Sequence, residues 1–326
     1  MLEMLAVIGP MFLVVLVGFA AGFIRRFRDA AIHLNAFIFY FALPTFIYTA
    51  MVTAPPLGAV PPAVFVIILV VTPALSVALY FLCRVFGAAS RAGAAPTALA
   101  GSFGNVGYFG IPISIGIIGP EAGLAAGIVH MTHNIFFMNA YPLVRTAVNA
   151  SAAADGAPQG LGDLWRTRLW PIVKRAVLLN PVLLFMVLAL TVVFTPLQMP
   201  ELFDEPVAML GGTAVPLALF CVGLALHPAL EGIRSGGVPL APIALGTAAK
   251  LAVLPLLTAV AVLPFSAQLG PVWAGALIIL AATPSSTTVF LFSQEYDGDG
   301  RLAAAILVAS TGLSLITLPL VAEFLL

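Results

Sequence analysis

Apolar residues run in long blocks along the chain, and short polar or Pro/Gly-rich breaks separate the blocks. Ten blocks are long enough for a membrane-spanning helix, which needs about 20 apolar residues. These spans, numbered one to ten, cover residues 4–24, 33–54, 61–83, 95–118, 122–144, 172–195, 206–228, 239–263, 270–294 and 302–325. Outer-membrane strands are only about ten residues long and alternate in polarity. The pattern therefore predicts an all-α polytopic membrane protein with ten transmembrane helices.

The composition excludes most other classes of protein. Of 326 residues, 62% are hydrophobic and 8% are charged, with no net charge and a mean hydropathy of +1.14. A soluble domain carries about 25% charged residues, so a soluble or disordered chain is excluded. The balanced charge offers no basic surface for nucleic acid. Cys83 and Cys221 lie in apolar stretches without metal-ligand spacing, and we expect neither a metal nor a cofactor.

The basic residues predict how the chain is oriented in the membrane. Twelve of the thirteen Lys and Arg residues fall in or beside alternate loops, beginning with Arg25, Arg26 and Arg28, and the intervening loops carry none. By the positive-inside rule, the basic side is cytoplasmic. We therefore expect a multi-pass protein of the plasma (inner) membrane whose two termini are both extracytoplasmic.

The longest polar stretch divides the predicted spans into two equal sets. Residues 149–171 are rich in Ala, Gly, Ser and Pro, which indicates a cytoplasmic linker between segments 1–148 and 172–326. Each segment then holds five spans, an odd number. Two related halves of five spans must insert with opposite orientations, so the division predicts the 5+5 inverted repeat found in many secondary transporters.

Two of the predicted spans contain helix-breaking residues near their centres. Span four carries four glycines and Pro112 around Asn105, and span nine carries the segment Thr283–Thr288 with a proline inside it. If the two breaks cross at the bilayer midplane, half-helix N-termini direct positive dipole ends at one site, which suits an anion. For either span alone, a plain kink or a close-packing site stays open as the alternative.

The residues around these breaks carry a resemblance to a known family. The chain resembles the auxin efflux carrier family, which includes plant auxin exporters and bacterial permeases for malonate, malate and similar organic acids. The strings that carry the resemblance are LNAFIFYFALP (34–44), NVGYFGIP (105–112), Lys250-Leu251 with Pro255, TPSS (283–286) and TGLSLITLP (311–319). The similarity extends from end to end of the chain.

The resemblance implies an architecture, a partner and a set of binding residues. Spans four and nine would cross, spans one, two, six and seven would form a scaffold, the other spans would form a mobile transport unit, and the protein would be a homodimer. The expected substrate-binding residues are Asn105, Gly107, Tyr108, Gly110, Pro112, Thr283, Pro284, Ser285 and Ser286. Lys250 would tune the charge, and Pro44 and Pro216 would shape the facing scaffold helices.

Ionisable residues within the spans leave alternatives open. Lys250 lies near the middle of span eight. Its function would be that of a counter-charge to an anion or of a mimic of a bound cation, and the alternative is a fixed structural charge. His130 and His133 share one helix face and form either a proton relay or a packed, hydrogen-bonded pair. No Asp or Glu lies at mid-span, which argues against carboxylate-based ion exchange, although a Na⁺ or H⁺ coupling ion stays open.

The sequence favours one function over two others. We expect a secondary active carrier that moves a small organic anion by alternating access, with a dicarboxylate such as malonate or malate as the substrate that the resemblance implies. An anion channel or a non-transporting receptor on the same scaffold is the alternative. Asp163 and Asp297 stand in strings similar to those of an aspartyl intramembrane protease, but in reversed order and with the first string in the linker. We therefore expect no enzyme.

Overall fold

The protein is helical throughout the part of the chain that the structure describes. A computed structural model describes residues 2–55, 58–152, 170–174, 178–197, 199–234, 238–295 and 298–326. Within those ranges every named element is a helix, and one isolated antiparallel bridge joins two non-helical residues. Most of the predicted linker, as well as Asp163 and Asp297, lies outside the described residues. The prediction of an all-α protein is confirmed.

Seventeen α-helices, labelled in chain order, make up the described fold. The first eight are α1 Leu2–Ala21, α2 Arg25–Phe37, α3 Leu43–Val52, α4 Pro62–Val85, α5 Ala88–Ala92, α6 Ala94–Ala100, α7 Ile111–Ile118 and α8 Ala122–Ala152. The others are α9 Trp170–Val173, α10 Pro181–Phe194, α11 Asp204–Gly212, α12 Ala214–Arg234, α13 Leu240–Ala248, α14 Leu254–Val262, α15 Ser266–Ala282, α16 Thr287–Glu295 and α17 Gly300–Leu325.

Several continuous helical runs are long and apolar enough to cross a bilayer. Five such runs lie in the described ranges: Arg25–Val52, Pro62–Val85, Glu201–His227, Leu240–Ala282 and Gly300–Leu325. Three shorter apolar helices cover Ala6–Ala21, Val106–Ile118 and Pro181–Phe194. The run Leu240–Ala282 is interrupted at Gly270, where φ is 60°, and its α14 packs against its α15. In length and composition, these helices are consistent with a polytopic membrane protein.

Three π-helical turns whose bounds the structure describes in full interrupt the helices, and each comes shortly before a proline. The turns are Ile38–Ala42, Val106–Gly110 and Ala249–Val253, and in each case a proline (Pro44, Pro112 or Pro255) is the second residue after the turn ends. Proline has no N–H to donate, and its ring clashes with the carbonyl four residues earlier. Widening the preceding turn to i→i+5 bonding relieves that clash, and such turns often lie at functional sites.

Several helix contacts come in pairs, in which a contact of a first-half helix has a counterpart that involves the second half. In one pair of contacts α1 packs on α12 and α10 packs on α3, and in another α4 packs on α6 and α14 packs on α15. The contacts of α7 with α8 and of α16 with α17 match in the same way. These three pairs relate helices at similar positions in the two halves of the chain.

Glycines allow the close approach of α1 and α12. A Cβ atom on Gly18 would lie 2.1 Å from the carbonyl oxygen of Phe220, and one on Gly223 would lie 2.1 Å from that of Val15. Backbone atoms cannot move aside as a flexible side chain can, so only glycine fits at these two positions. Gly18 and Gly22 form a GxxxG motif in span one, a motif that brings membrane helices together, and here Gly18 packs within the chain.

Candidate functional site

The two non-helical segments, 101–105 and 283–286, lie against each other. Gly104 and Ser285 form an antiparallel bridge. The N–H of Asn105 donates to the carbonyl of Pro284 over 2.8 Å, and the N–H of Ser286 donates to the carbonyl of Phe103 over 2.9 Å. Lipid cannot satisfy free backbone groups at membrane depth. The pairing supplies partners for both segments, and we call this meeting point the junction.

Side chains satisfy further backbone groups of the junction. The N–H of Gly104 donates to Nε2 of His133 over 3.3 Å, and the N–H of Ser285 donates to Oγ of Ser310 over 3.1 Å. This bond uses Nε2 of His133 as an acceptor, which requires that this nitrogen carry no proton. The ring also packs beside Phe103, at a centroid distance of 5.3 Å. These contacts give His133 a packing and hydrogen-bonding role.

A large cavity extends from one side of the junction. Its volume is about 1360 Å³, and the junction residues that line it are Gly104, Asn105, Val106, Gly107, Tyr108 and Ser286. Apolar and aromatic side chains, including Phe39, Leu43 and Phe290, form much of the wall. The exposed residues Arg28, Lys174 and Glu295 also border the cavity, which places charged groups at its mouth.

Each interrupted helix restarts at a polar side chain that lines this cavity. Asn105 is 5% exposed, and its Oδ1 accepts the N–H of Tyr108 over 3.3 Å as an N-cap. Oγ of Ser286 accepts the N–H of Thr288 over 3.3 Å in the same role. The first N–H groups of a helix lack intrahelical acceptors, and the N-terminus carries a partial positive charge. Two helix N-termini beside one cavity form an environment suited to an anion.

The amide nitrogen of Asn105 is a buried donor without a partner. Within the described residues, Nδ2 makes no hydrogen bond and is shielded from solvent. Buried polar groups are almost always hydrogen-bonded, and an unsatisfied one costs about 1–3 kcal/mol. A ligand oxygen bound in the cavity would remove this cost, so Asn105 is the best candidate for direct recognition.

Further polar residues of the cavity wall lie outside the predicted binding set. His130 and Asn134 line the cavity, with Nδ2 of Asn134 2.9 Å from Nε2 of His130. Asn180 also lines it and caps α10 by accepting the N–H of Val182 over 3.0 Å. The string Asn180-Pro181 is a helix-start signal that could have indicated Asn180, but no sequence signal connects it with the junction.

The remaining predicted residues support the junction from outside the cavity. Thr283 donates its hydroxyl to the carbonyl of Leu280 over 2.8 Å, and Pro284 supplies the carbonyl that pairs with Asn105. Ser285 is wholly buried, and a Cβ on Gly110 would lie 2.9 Å from Leu280. The three other prolines lie elsewhere: Pro112 and Pro44 stand in the first turns of α7 and α3, and Pro216 is exposed on α12.

Lys250 lies behind the junction rather than in the cavity wall. Its side chain is wholly buried, and Nζ donates to the carbonyl of Ala281 over 2.5 Å. The cavity lining does not include Lys250. In this conformation its charge therefore acts on the cavity across the backbone of the junction and not by contact with a ligand there.

Comparison with known proteins identifies the family. The family described as "Membrane transport protein" matches residues 4–322. The chain belongs to this family. The match confirms the resemblance to auxin efflux carriers, and it makes the chain a transport protein and not an enzyme.

Two relatives of this transport protein align over most of its length. One, from Rhizobium meliloti, is named "Putative malonate transporter" and is 26% identical over 319 residues, covering 97% of this chain and 94% of the relative. The other, from Methanothermobacter thermautotrophicus, is named "Uncharacterized transporter" and is 25% identical over 296 residues, covering 90% of this chain and 88% of the relative.

Proposed function

We propose that this transport protein is a secondary active carrier that moves a small organic anion across the plasma (inner) membrane by alternating access. The single observation that carries the proposal is the junction. Two interrupted helices pair through their backbones and restart at Asn105 and Ser286, side by side at the end of a large cavity. Broken helices that meet at a binding site are typical of secondary transporters.

The polarity of the junction supports an anionic substrate. The helices that begin after Asn105 and Ser286 direct their N-termini toward the lined cavity. Asn105 adds a donor that has no protein partner. The substrate would accept hydrogen bonds there through a carboxylate. Gly107 and Tyr108 would contact the substrate from the same turn, and Ser286 would contact it from the other half-helix.

For the substrate we propose a dicarboxylate such as malonate or malate. Support comes from the name of the relative in Rhizobium meliloti and from the family resemblance. Arg28 and Lys174 at the cavity mouth would attract a dianion electrostatically before it reaches the junction.

We further propose that the chain is an inverted repeat of five plus five transmembrane helices. The repeats would be residues 1–148 and 172–326, with 149–171 as the cytoplasmic linker. The matching helix contacts of the two halves support this division. The pairing of the two breaks supports it too, because an inverted repeat brings equivalent helices together at the midplane.

The position of the cavity supports a two-part mechanism. One wall comes from the proposed scaffold, with Phe39, Leu43 and Asn180, and the other wall comes from the proposed transport unit, with Asn105 and His130. A displacement of one part against the other would close this cavity and open another on the opposite side. The positive-inside rule assigns the mouth with Arg28 to the cytoplasm, so the described conformation would be open inward, with both termini outside. A homodimer through the scaffold is part of the same proposal.

Counterflow in proteoliposomes tests the proposal. Vesicles loaded with unlabelled malonate should accumulate radiolabelled malonate transiently, with a saturable initial rate, and succinate, malate and acetate should compete in an order that defines the substrate. Empty vesicles and the variant Asn105→Ala serve as controls. Flux that does not saturate and shows no counterflow would support a channel instead, and specific binding without any flux would support a receptor.

A further inference from the structure

We infer that Lys250 is a built-in cation that occupies the place where a cation-coupled carrier with broken helices would bind its ion, so that substrate binding in this protein needs no Na⁺. The inference rests on the proposed carrier function and goes beyond it, because it assigns a role to Lys250 and excludes one mode of coupling.

The ammonium group of Lys250 lies at the end of a helix. Helix α15 ends at Ala282, and Nζ of Lys250 donates to the carbonyl oxygen of Ala281. The last carbonyls of a helix have no intrahelical donors, and the C-terminus carries a partial negative charge. In transporters with broken helices, half-helix C-termini and unwound carbonyls coordinate Na⁺. Lys250 places a covalently attached positive charge at a helix C-terminus of this kind.

The charge of Lys250 also lies close to the junction. A Cβ on Gly104 would lie 3.0 Å from Nζ of Lys250, and Gly104 itself pairs with Ser285 in the bridge. Gly104 also lines the cavity, and Lys250 does not. The junction backbone therefore separates Lys250 from the substrate site by little more than its own thickness, which is short enough for electrostatic influence in a low-dielectric interior.

In the part of the chain that the structure describes, the ammonium group of Lys250 has no carboxylate partner. The ion pairs found within the described ranges are between surface residues, and the hydrogen bond of Lys250 is to a backbone carbonyl. A buried Lys is costly unless something compensates its charge. Here the compensation comes from the negative end of α15, and a bound organic anion on the other side of the junction would add to it. The built-in charge thus favours anion binding as a bound Na⁺ would.

A π-helical turn positions the side chain of Lys250 beside the C-terminus of α15. The residue lies in the π-helical turn Ala249–Val253, which comes before Pro255, and the wider turn changes which side chains face α15. Thr258, about two turns further along the chain on α14, is also buried, but it bonds to the carbonyl of Leu254 in its own helix. Thr258 is therefore a matched control: it is a buried polar residue of the same span without a bond to the junction.

The first experiment uses the unmodified protein. Malonate affinity is measured by thermal shift and by isothermal calorimetry in media containing Na⁺, K⁺ or choline as the sole monovalent cation. The expected result is the same affinity, within about twofold, in all three media. A tenfold or greater gain in Na⁺ would overturn the inference while leaving the carrier function intact. If no organic acid binds in any medium, the proposed function itself fails.

The second experiment removes the built-in charge. In choline medium, Lys250→Ala should bind malonate at least tenfold more weakly than the unmodified protein, and Lys250→Arg should lose less. Added Na⁺ or ammonium should restore most of the affinity of Lys250→Ala, because the vacated space beside Ala281 can then accept a small cation. Thr258→Ala should show neither the loss nor the cation dependence.

Two results of the second experiment would contradict the inference. One is unchanged affinity in Lys250→Ala, and the other is a loss that neither Na⁺ nor ammonium reverses, which would leave Lys250 with a structural role alone. If Lys250→Ala yields no folded protein, the comparison of Na⁺, K⁺ and choline in the unmodified protein decides the question by itself.

Discussion

Asn105 and Pro284 belong to opposite halves of the chain, yet the N–H of Asn105 donates to the carbonyl of Pro284 over 2.8 Å. Each residue stands in the interruption of its own helix, so each interruption depends on the other for its hydrogen bonds. Where Asn105 presents its side chain is consequently set by a segment far away in sequence. A change in either interruption should therefore alter the site formed by both.

Replacing Asn105 by alanine should abolish tight substrate binding without unfolding the protein. The change removes the unpartnered donor Nδ2 and the cap on the N–H of Tyr108. A lost cap costs about 1 kcal/mol of helix stability, which a protein of this size should tolerate. Malonate affinity, measured by thermal shift, should fall at least tenfold, or by about 1.4 kcal/mol.

Asn139→Ala is the matched control for this variant. Asn139 also makes a local bond, from Nδ2 to the carbonyl of Ile135 over 2.7 Å, but it does not line the cavity. Its replacement should leave affinity within about twofold of the unmodified protein. Equal affinities for all three proteins would remove Asn105 from the substrate site.

Gly104→Ala should disturb the junction directly. A Cβ atom at this position would lie 2.5 Å from Oγ1 of Thr283 and 2.8 Å from Cε of Lys250. Overpacking of a tight interior costs about 1–3 kcal/mol, so the melting temperature in detergent should fall and malonate transport should be lost. Gly312→Ala on α17 is the control, because nothing lies within 4 Å of its Cβ position. Comparable melting temperatures for the two variants would show that the junction can relax around a methyl group.

Gly18→Val should prevent the packing of α1 on α12. The Cβ alone would come within 2.1 Å of the Phe220 carbonyl oxygen, and valine adds two methyl groups beyond it. We expect little monodisperse protein in fluorescence-detected size exclusion. Gly9→Ala in the same helix meets no atom within 4 Å and should behave like the unmodified protein. Well-folded Gly18→Val protein would mean that the two helices separate more easily than their geometry indicates.

Cys221 should report which side of the membrane the cavity faces. Its side chain is 4% exposed and lines the cavity, whereas Cys83 is wholly buried elsewhere. In a Cys83→Ala background, a membrane-impermeant thiol reagent should label Cys221 from the cytoplasmic side of inverted vesicles, and malonate should slow the labelling. In intact cells, tags at either terminus should be accessible from outside. Labelling of Cys221 only from the outside would reverse the proposed orientation.

The sequence predicted the interruptions because their cause is local. Glycines around Asn105 and the prolines Pro112 and Pro284 weaken helices wherever they stand, so the breaks in spans four and nine could be placed before any contact was known. Pro112 was predicted as a binding residue and Pro44 as a residue that shapes a scaffold helix, and a π-helical turn precedes each of the two prolines. The membrane class and the family likewise follow from composition and motif, and both are confirmed.

The contributions of His133, Asn180 and Lys250 depended on the tertiary structure. His133 accepts a hydrogen bond from the N–H of Gly104, and Lys250 donates one to the carbonyl of Ala281. Each bond joins residues of different helices or segments. The sequence could place Lys250 within a span, but a functional and a structural role were equally open for it. Asn180 carries only a helix-cap signal, and that signal does not say which cavity the cap will border.

By itself, the sequence determined that the chain is a helical membrane transport protein and that two of its spans break near their middle. Hydrophobic length, charge placement and helix-breaking residues are local properties, so they act before the helices assemble. Only the tertiary structure decided that the two breaks pair through Gly104 and Ser285, which side chains face the cavity, and that Lys250 caps α15 from behind. Those outcomes depend on which helix ends come together in space, and that arrangement is determined by contacts between residues that are far apart in the sequence.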